Sequence, residues 1–232
     1  MDLLLRFTYK GKGTRITGEI LVSGLFITIE GIEGSGKSSQ VSNIIGYLEE
    51  LSFPCLATRE PGGTQIADEI RSLLLESKEE DIEPLTELLL YNAARAQHVS
   101  QVIWPALKDG TTVLCDRFCD ATVAYQAYGR GLPLSQVIEI NGLVCQGLKP
   151  DLTILLDCEV TLGLERSLQR LHKEQSLEDR FEKEDLDFHQ RVRKGYLELA
   201  EHQRDRIVVI DAAQNTDQVF DHIKGHLKTH IS

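Results

Sequence analysis

Gly31-Ile32-Glu33-Gly34-Ser35-Gly36-Lys37-Ser38 satisfies the pattern GxxxxGK[ST] at every position. Its glycines let the backbone curl so that successive N–H groups converge on phosphate oxygens. Lys37 supplies a point charge toward the β- and γ-phosphates, and Ser38 supplies a hydroxyl for Mg²⁺. The flanks separate this reading from a chance glycine-rich turn. Leu25 to Ile29 is an apolar, β-prone run, and Lys37 to Leu51 places Val41, Ile44, Ile45 and Leu48 on one helical face. Strand, glycine loop and helix N-terminus in that order form an anion site. All eight residues from Gly31 to Ser38 are therefore candidates for binding a nucleoside triphosphate.

The same alternation continues outward from the loop. Apolar runs at Pro54–Thr58, Thr111–Cys115, Leu152–Leu156 and Arg206–Ile210 read as further strands. Helical patterns fill Gln65–Leu75, Pro84 to about Trp104, Ser135–Gly147, Val160 to about Leu171, part of Phe181–His202, and Asp217 onward. Pro84 suits a first helical turn, whereas Pro105 is expected to kink or end the helix before it. Strands that are apolar almost throughout are buried on both faces. The pattern predicts one α/β domain, a five-stranded parallel sheet covered by helices, with ligands at the carboxyl ends of the strands.

The chain has 232 residues, enough for one sizeable core. Its net charge of -11 repels polyanions, which argues against nucleic acid and acidic membranes as partners. No apolar run approaches the roughly 20 residues that span a bilayer. Cys55, Cys115, Cys119, Cys145 and Cys158 form neither a CxxC pair nor a disulfide framework, and read as buried thiols of a cytoplasmic protein. At the N-terminus, Leu3–Leu5 is too short for a signal-peptide core, and Lys10, Lys12 and Arg15 follow it rather than precede it. Residues 1–22 read as an extension outside a main domain of 23–232.

A P-loop leaves the reaction open, since motors, GTPases, transporters and kinases share it. The other strand ends narrow the choice. The second strand runs into Thr58-Arg59-Glu60-Pro61-Gly62-Gly63-Thr64, and the third into Asp116-Arg117-Phe118. Arg59 and Arg117 thus reach the rim that holds the P-loop. Guanidinium forks match phosphate geometry, so the pair points to a second phosphate pocket facing the first. Either arginine alone would serve equally well in a structural salt bridge. Asp116 can hold Mg²⁺ directly or through water, or can cap a turn.

These segments resemble the signatures of thymidylate kinases. Thr58–Thr64 reads TREPGGT, Leu88–Arg95 reads LLLYNAAR, and Asp116–Gly131 reads DRFCDATVAYQAYGRG. With the P-loop and Asp179-Arg180-Phe181-Glu182 they stand in that family's order, from about Leu25 to the C-terminus. The resemblance implies a three-layer P-loop kinase fold with a mobile lid. It implies phosphorylation of dTMP to dTDP by ATP and Mg²⁺ in dTTP biosynthesis, and a homodimer. It also assigns roles. Arg59 and Arg117 hold the dTMP phosphate, Arg95 donates to a thymine carbonyl, and Tyr91 stacks on the base. Tyr125 crowds the sugar 2′ position, Gln126 contacts the nucleotide, and Glu33 meets the sugar 3′-OH. Asp211 to Asn215 contact adenine, and the peptide before Pro61 is cis. By composition alone Tyr91 would be a core residue. Ala121 departs from the family pattern, where Ser or another small polar residue is common; Thr122 is the neighbouring hydroxyl.

The segment Val160 to Glu182 carries Arg166, Arg170, Lys173 and Arg180. The first three share a helical face. That face could simply be solvated, paired with Glu165, Glu174 and Glu178. Phosphoryl transfer, however, needs positive charge on the γ-phosphate, and lids commonly deliver it. Some thymidylate kinases place an arginine inside the P-loop, where this chain has Gly34. The resemblance is to the bacterial type, in which lid arginines (within about 160–182) do that work: Arg170 first, Arg166 second. Two other readings stay open: a P-loop kinase for another monophosphate or a deoxynucleoside, and an ATP sensor. A sensor has no use for a second arginine-bearing strand end.

Overall fold

The computed structural model describes residues 24–76, 81–175 and 178–230. The expected extension, 1–22, lies outside the described residues. Five strands, β1 (Phe26–Glu30), β2 (Cys55–Arg59), β3 (Thr112–Asp116), β4 (Leu152–Asp157) and β5 (Ile207–Asp211), form one sheet in the order β2-β3-β1-β4-β5. Every neighbouring pair is parallel, as the apolar runs predicted. The helices are α1 (Lys37–Glu50), α2 (Gln65–Leu75), α3 (Pro84–His98), α4 (Trp104–Lys108), α5 (Cys119–Thr122), α6 (Leu134–Cys145), α7 (Val160–Glu174), α8 (Leu186–His202) and α9 (Thr216–His230).

Alternate residues of the central strands serve opposite cores. Ile27, Ile29 and Leu114 pack with Ile44, Leu48, Val192 and Ile223 on one side. Phe26, Val113 and Cys115 pack with Val99, Ile103 and Leu107 on the other. Each such aliphatic side chain, fully buried, contributes about 1.5–3 kcal/mol. A sheet with a helical core on each face accounts for the buried central strands β1, β3 and β4, whereas the edge strands β2 and β5 are only partly buried, contrary to the expectation. β1 is central, with β3 on one side and β4 on the other, so the chain reverses its winding there. The P-loop at the end of β1 therefore opens at the switch point where such sheets bind ligands.

One local expectation changes, and one stretch left unassigned by the sequence proves helical. Pro105 does not end its helix. Between α3 and α4 the chain makes a wide π turn, Val99–Ile103, in which the Trp104 N–H reaches the Val99 carbonyl. Pro105 then falls in the first turn of α4, where a missing N–H is tolerated. The unassigned stretch is Cys119–Gly129 within DRFCDATVAYQAYGRG: α5 continues as a π-helical stretch, Val123–Gly129, buried over most of its length. Its sequence has no helical period to read, because nearly every side chain meets protein. α8 packs along it and buries Phe188, His189, Val192 and Tyr196.

Candidate active site

The carboxyl ends of β1, β2, β3 and β5, with α7, enclose one continuous cleft of about 560 Å³. It is lined by Glu33 to Ser38 of the P-loop, by Arg59, Tyr91, Arg95, Arg117, Tyr125 and Gln126, and by Arg166, Arg170, Gln214 and Asn215. Most residues singled out in the sequence thus meet in one place; Gly31, Ile32, Asp211 and Ala213 do not line the cleft, and Ile32 packs into the core instead.

At the P-loop, Gly36 takes a left-handed conformation (φ 92°) and no side chain caps α1. The helix N-terminus therefore presents its first-turn N–H groups to an anion. Lys37 folds back over the loop and donates to the carbonyls of Gly31 (3.0 Å) and Ile32 (2.9 Å). Burial, then the charge of Arg117, lowers its pKa to about 8. Gly34 sits at φ +68°, where a Cβ would lie 1.9 Å from the Gly163 carbonyl oxygen. A Cβ on Gly163 would in turn lie 2.6 Å from the Glu33 carbonyl oxygen. α7 thus rests on the loop by backbone contact, and this seat leaves no room for an arginine at position 34.

Across the cleft, Arg117 holds φ 67° just past β3. It donates to Glu33 Oε1 (2.9 Å) and to the Tyr196 hydroxyl (3.1 Å), and its guanidinium lies 4.9 Å from the Tyr125 ring centre. Tyr125 donates to the same Glu33 oxygen at 2.5 Å. Burial alone would raise the Glu33 pKa, but Arg117, His189, Lys37 and Tyr125 together hold it well below the usual carboxylate range. Beneath them, the fully buried Glu30 accepts from the Phe118 N–H and the Tyr196 hydroxyl, both at 2.8 Å. Burial, then repulsion from Asp120, pushes Glu30 up to about 7. Arg59 is exposed, 3.8 Å from Asp68 Oδ1.

Arg95 is 2% exposed and donates to Glu60 Oε2 (2.7 Å), Asn141 Oδ1 (3.0 Å), the Phe118 carbonyl (3.1 Å) and Thr122 Oγ1 (2.8 Å). Burial disfavours its charge, but Glu60 outweighs that and raises its pKa. These four contacts leave one of the five guanidinium N–H groups. Thr122 is thus committed to Arg95 beside the departure at Ala121. Gln126 donates to Glu87 Oε1 at 2.9 Å. The Glu60–Pro61 peptide is cis.

Glu178 and Arg180, beyond α7, lie against α2 and α3. Glu178 takes a two-pronged contact from Arg71 (2.8 and 2.7 Å), and Arg180 donates to the Leu74 carbonyl (2.9 Å) and to Glu87. Phe181 packs edge-on against Tyr125. Within α7, Arg166 donates to the Ala212 carbonyl (2.8 Å), while Arg170 is 46% exposed and makes one longer bond to Ser167 (3.3 Å). Lys173 is exposed and does not line the cleft.

Asp116 Oδ1 is buried without a hydrogen-bond partner. A hard cation is the natural partner for such an oxygen beside a phosphate loop, and Ser38 lines the same cleft. The donor set therefore fits Mg²⁺. Sequence reasoning passed over Glu30, Arg71, Glu87, His189 and Tyr196. A signal existed for two of them: His189 and Tyr196 stand two turns apart on the apolar face of α8, where polar groups need a reason.

A family model described as Thymidylate kinase matches residues 29–223. A thymidylate kinase of Pelobacter propionicus is 52% identical over 201 residues, 86% of this chain and 92% of the relative. One from Geotalea daltonii is 54% identical over 197 residues, 84% and 92% of the two chains. The crystal structure of the Ehrlichia chaffeensis thymidylate kinase aligns with a TM-score of 0.70 at 33% identity, covering 88% of this chain and 99% of the other. A P-loop facing a second arginine-lined pocket across one cleft, matched along almost the whole described chain, places this protein in the thymidylate kinase family, which phosphorylates dTMP to dTDP with ATP.

Proposed function

We propose that ATP–Mg²⁺ and dTMP occupy opposite ends of the cleft and that the γ-phosphoryl group passes directly between them. The observation that carries this reading is the continuity of the cleft from Lys37 and Ser38 to Arg59 and Arg117. Arg59 and Arg117 hold the dTMP phosphate as bidentate forks. The remaining N–H of Arg95 donates to a thymine carbonyl, Tyr91 stacks on the base, Tyr125 crowds the sugar 2′ position, and Glu33 meets the 3′-OH. Gln126 contributes from its buried place beside Glu87.

The P-loop residues Gly31 to Ser38 cradle the ATP phosphates, and Asp211 to Asn215 flank adenine. Ser38 and Asp116 would hold Mg²⁺, which supplies charge to offset the β- and γ-phosphate oxygens. Residues from about 160 to 182 form the lid that excludes water. Arg166, tied to Ala212, belongs to the adenine side; the half-free Arg170 is the arginine that reaches the γ-phosphate. An ionised dTMP phosphate oxygen attacks the γ-phosphorus in line. A new P–O bond forms as the bond to the β–γ bridging oxygen breaks, and ADP leaves. No general base is required. Lys37 and Arg170 offset the charge that develops.

The dimer expected from the resemblance has support in apolar side chains exposed on α3 and α6, including Leu89, Ile138 and Leu143. Five free thiols suit a cytoplasmic location. Among the described residues, no helix is long and apolar enough to cross a membrane. The decisive experiment is ADP release with ATP and Mg²⁺ across dTMP, dUMP, dCMP, dGMP and thymidine. Turnover that depends on dTMP supports the reading; ATP turnover indifferent to dTMP overturns it.

A further inference from the structure

Among the described residues, five buried side-chain polar atoms lack a hydrogen-bond partner, and three of them meet in one place: Glu33 Oε2 and both ring nitrogens of His189. His189 is 1% exposed, on the buried face of α8, and its ring stands edge-on to Phe188. Its Nδ1 lies 3.5 Å from Glu33 Oε2, near enough to favour the ionised carboxylate but longer than a well-formed hydrogen bond. Buried polar atoms are normally paired, so a cluster of unpaired ones beside a cleft calls for an account.

The two oxygens of Glu33 face different neighbours. Oε1 takes the bonds from Arg117 and Tyr125, both of which line the cleft. Oε2 is turned toward α8. The Arg117 fork is committed to Glu33 and Tyr196, yet the dTMP phosphate calls on that same fork. A phosphate dianion competes well against a single carboxylate oxygen. When Arg117 turns to it, Glu33 loses its main counter-charge while burial still disfavours its ionised form.

We propose that His189 is a positioning residue for the acceptor sugar. Its Nδ1–H closes on Glu33 Oε2 as Arg117 leaves Oε1, which keeps the carboxylate ionised and turned so that Oε1 receives the 3′-OH. This rests on the reading of Arg117 as a phosphate ligand and Glu33 as the sugar contact. The approach needed is about half an ångström, and the Nδ1 tautomer makes the ring a donor without adding charge.

The test compares His189→Leu, which removes the donor, with His189→Asn, whose amide nitrogen stands near the Nδ1 position, using dTMP and 3′-deoxy-dTMP. Leu is expected to raise the KM for dTMP about tenfold with a smaller effect on kcat. Asn should restore most of the loss, and 3′-deoxy-dTMP should shift less than about twofold. The Leu effect should vanish in a Glu33→Gln background. Equal behaviour of Leu and Asn, or an equal loss with 3′-deoxy-dTMP, overturns the proposal. Glu33→Gln alone checks the underlying reading: if it leaves the preference for dTMP over 3′-deoxy-dTMP intact, the sugar contact itself fails. If Glu33→Gln abolishes the preference and His189→Leu does not weaken it, only the His189 proposal fails. Should Leu not fold, ¹⁵N-histidine spectra of the unaltered protein decide. Saturating dTMP should convert the His189 Nδ1 signal, assigned through His189→Asn, to a hydrogen-bonded N–H; an unchanged signal overturns the proposal.

Discussion

At the scale of single residues, charge placement separates groups that act on substrate from groups that hold them. Arg170 has weak tethers, whereas Arg95 spends four donors on protein. Arg170→Ala should therefore lower kcat about a hundredfold and leave dTMP affinity nearly unchanged, because its charge matters only in the transition state. Steady-state kinetics check this, and unchanged turnover transfers the role to Arg166. Glu30 makes a different case. Its pKa rises from 4.5 to about 7 in the folded protein, so the native state keeps a proton there that the unfolded chain has lost. Stability tied to that proton is complete below about pH 4.5 and is lost as pH rises through about 7, a total on the order of 3 kcal/mol. Urea denaturation at pH 5 and pH 8 should show that decline in the native protein, and Glu30→Gln should largely remove it. An equal decline in both proteins would assign it to other groups.

Elements explain why the strands were legible and other features were not. A buried parallel strand must be apolar on both faces, so β1, β3 and β4 announce themselves within a residue or two; the edge strands β2 and β5, only partly buried, are found as closely through their short β-prone runs. The stretch from Cys119 to Gly129 hides its helix because burial on all sides erases the period. The sequence shows His189 and Tyr196 as polar side chains on an apolar helix face, but which groups they meet is hidden because that depends on the loop above α8, a matter of tertiary packing. Gly34 is intermediate: its sequence shows that a P-loop arginine is missing, and only the packing of α7 shows why. A Cβ there meets the Gly163 carbonyl at 1.9 Å and needs a left-handed backbone. Gly34→Ala should lift α7 from the loop, costing about 1–3 kcal/mol. Thermal melting should fall by several degrees, and the KM for ATP should rise more than that for dTMP if α7, seated on the P-loop, carries Arg166 and Arg170 to the ATP phosphates as proposed. An unshifted melting temperature would show that the helix has another seat.

For the whole molecule, strand order was beyond the sequence, yet the rule that ligands gather at parallel strand ends placed Arg59, Asp116, Arg117 and the P-loop on one rim. The outer surface follows a different logic. The molecule carries a net charge of -11, which keeps copies apart, yet α3 and α6 touch and expose Leu85, Leu89, Ile138 and Leu143, the last at 79%. The proposed dimer would bury these side chains, since an isologous contact about a two-fold axis sets the same apolar surface of a second copy against them. In an isologous interface each substitution acts twice, so a charge at its centre meets its own image in a poorly solvated place. Leu89→Asp with Ile138→Asp should therefore shift the sedimenting species from about twice the chain mass to the chain mass. The folded domain should survive, because both side chains are already half-exposed or more and neither belongs to the core. A species that keeps its mass would move the interface elsewhere, and a native chain that sediments as a monomer would remove it altogether.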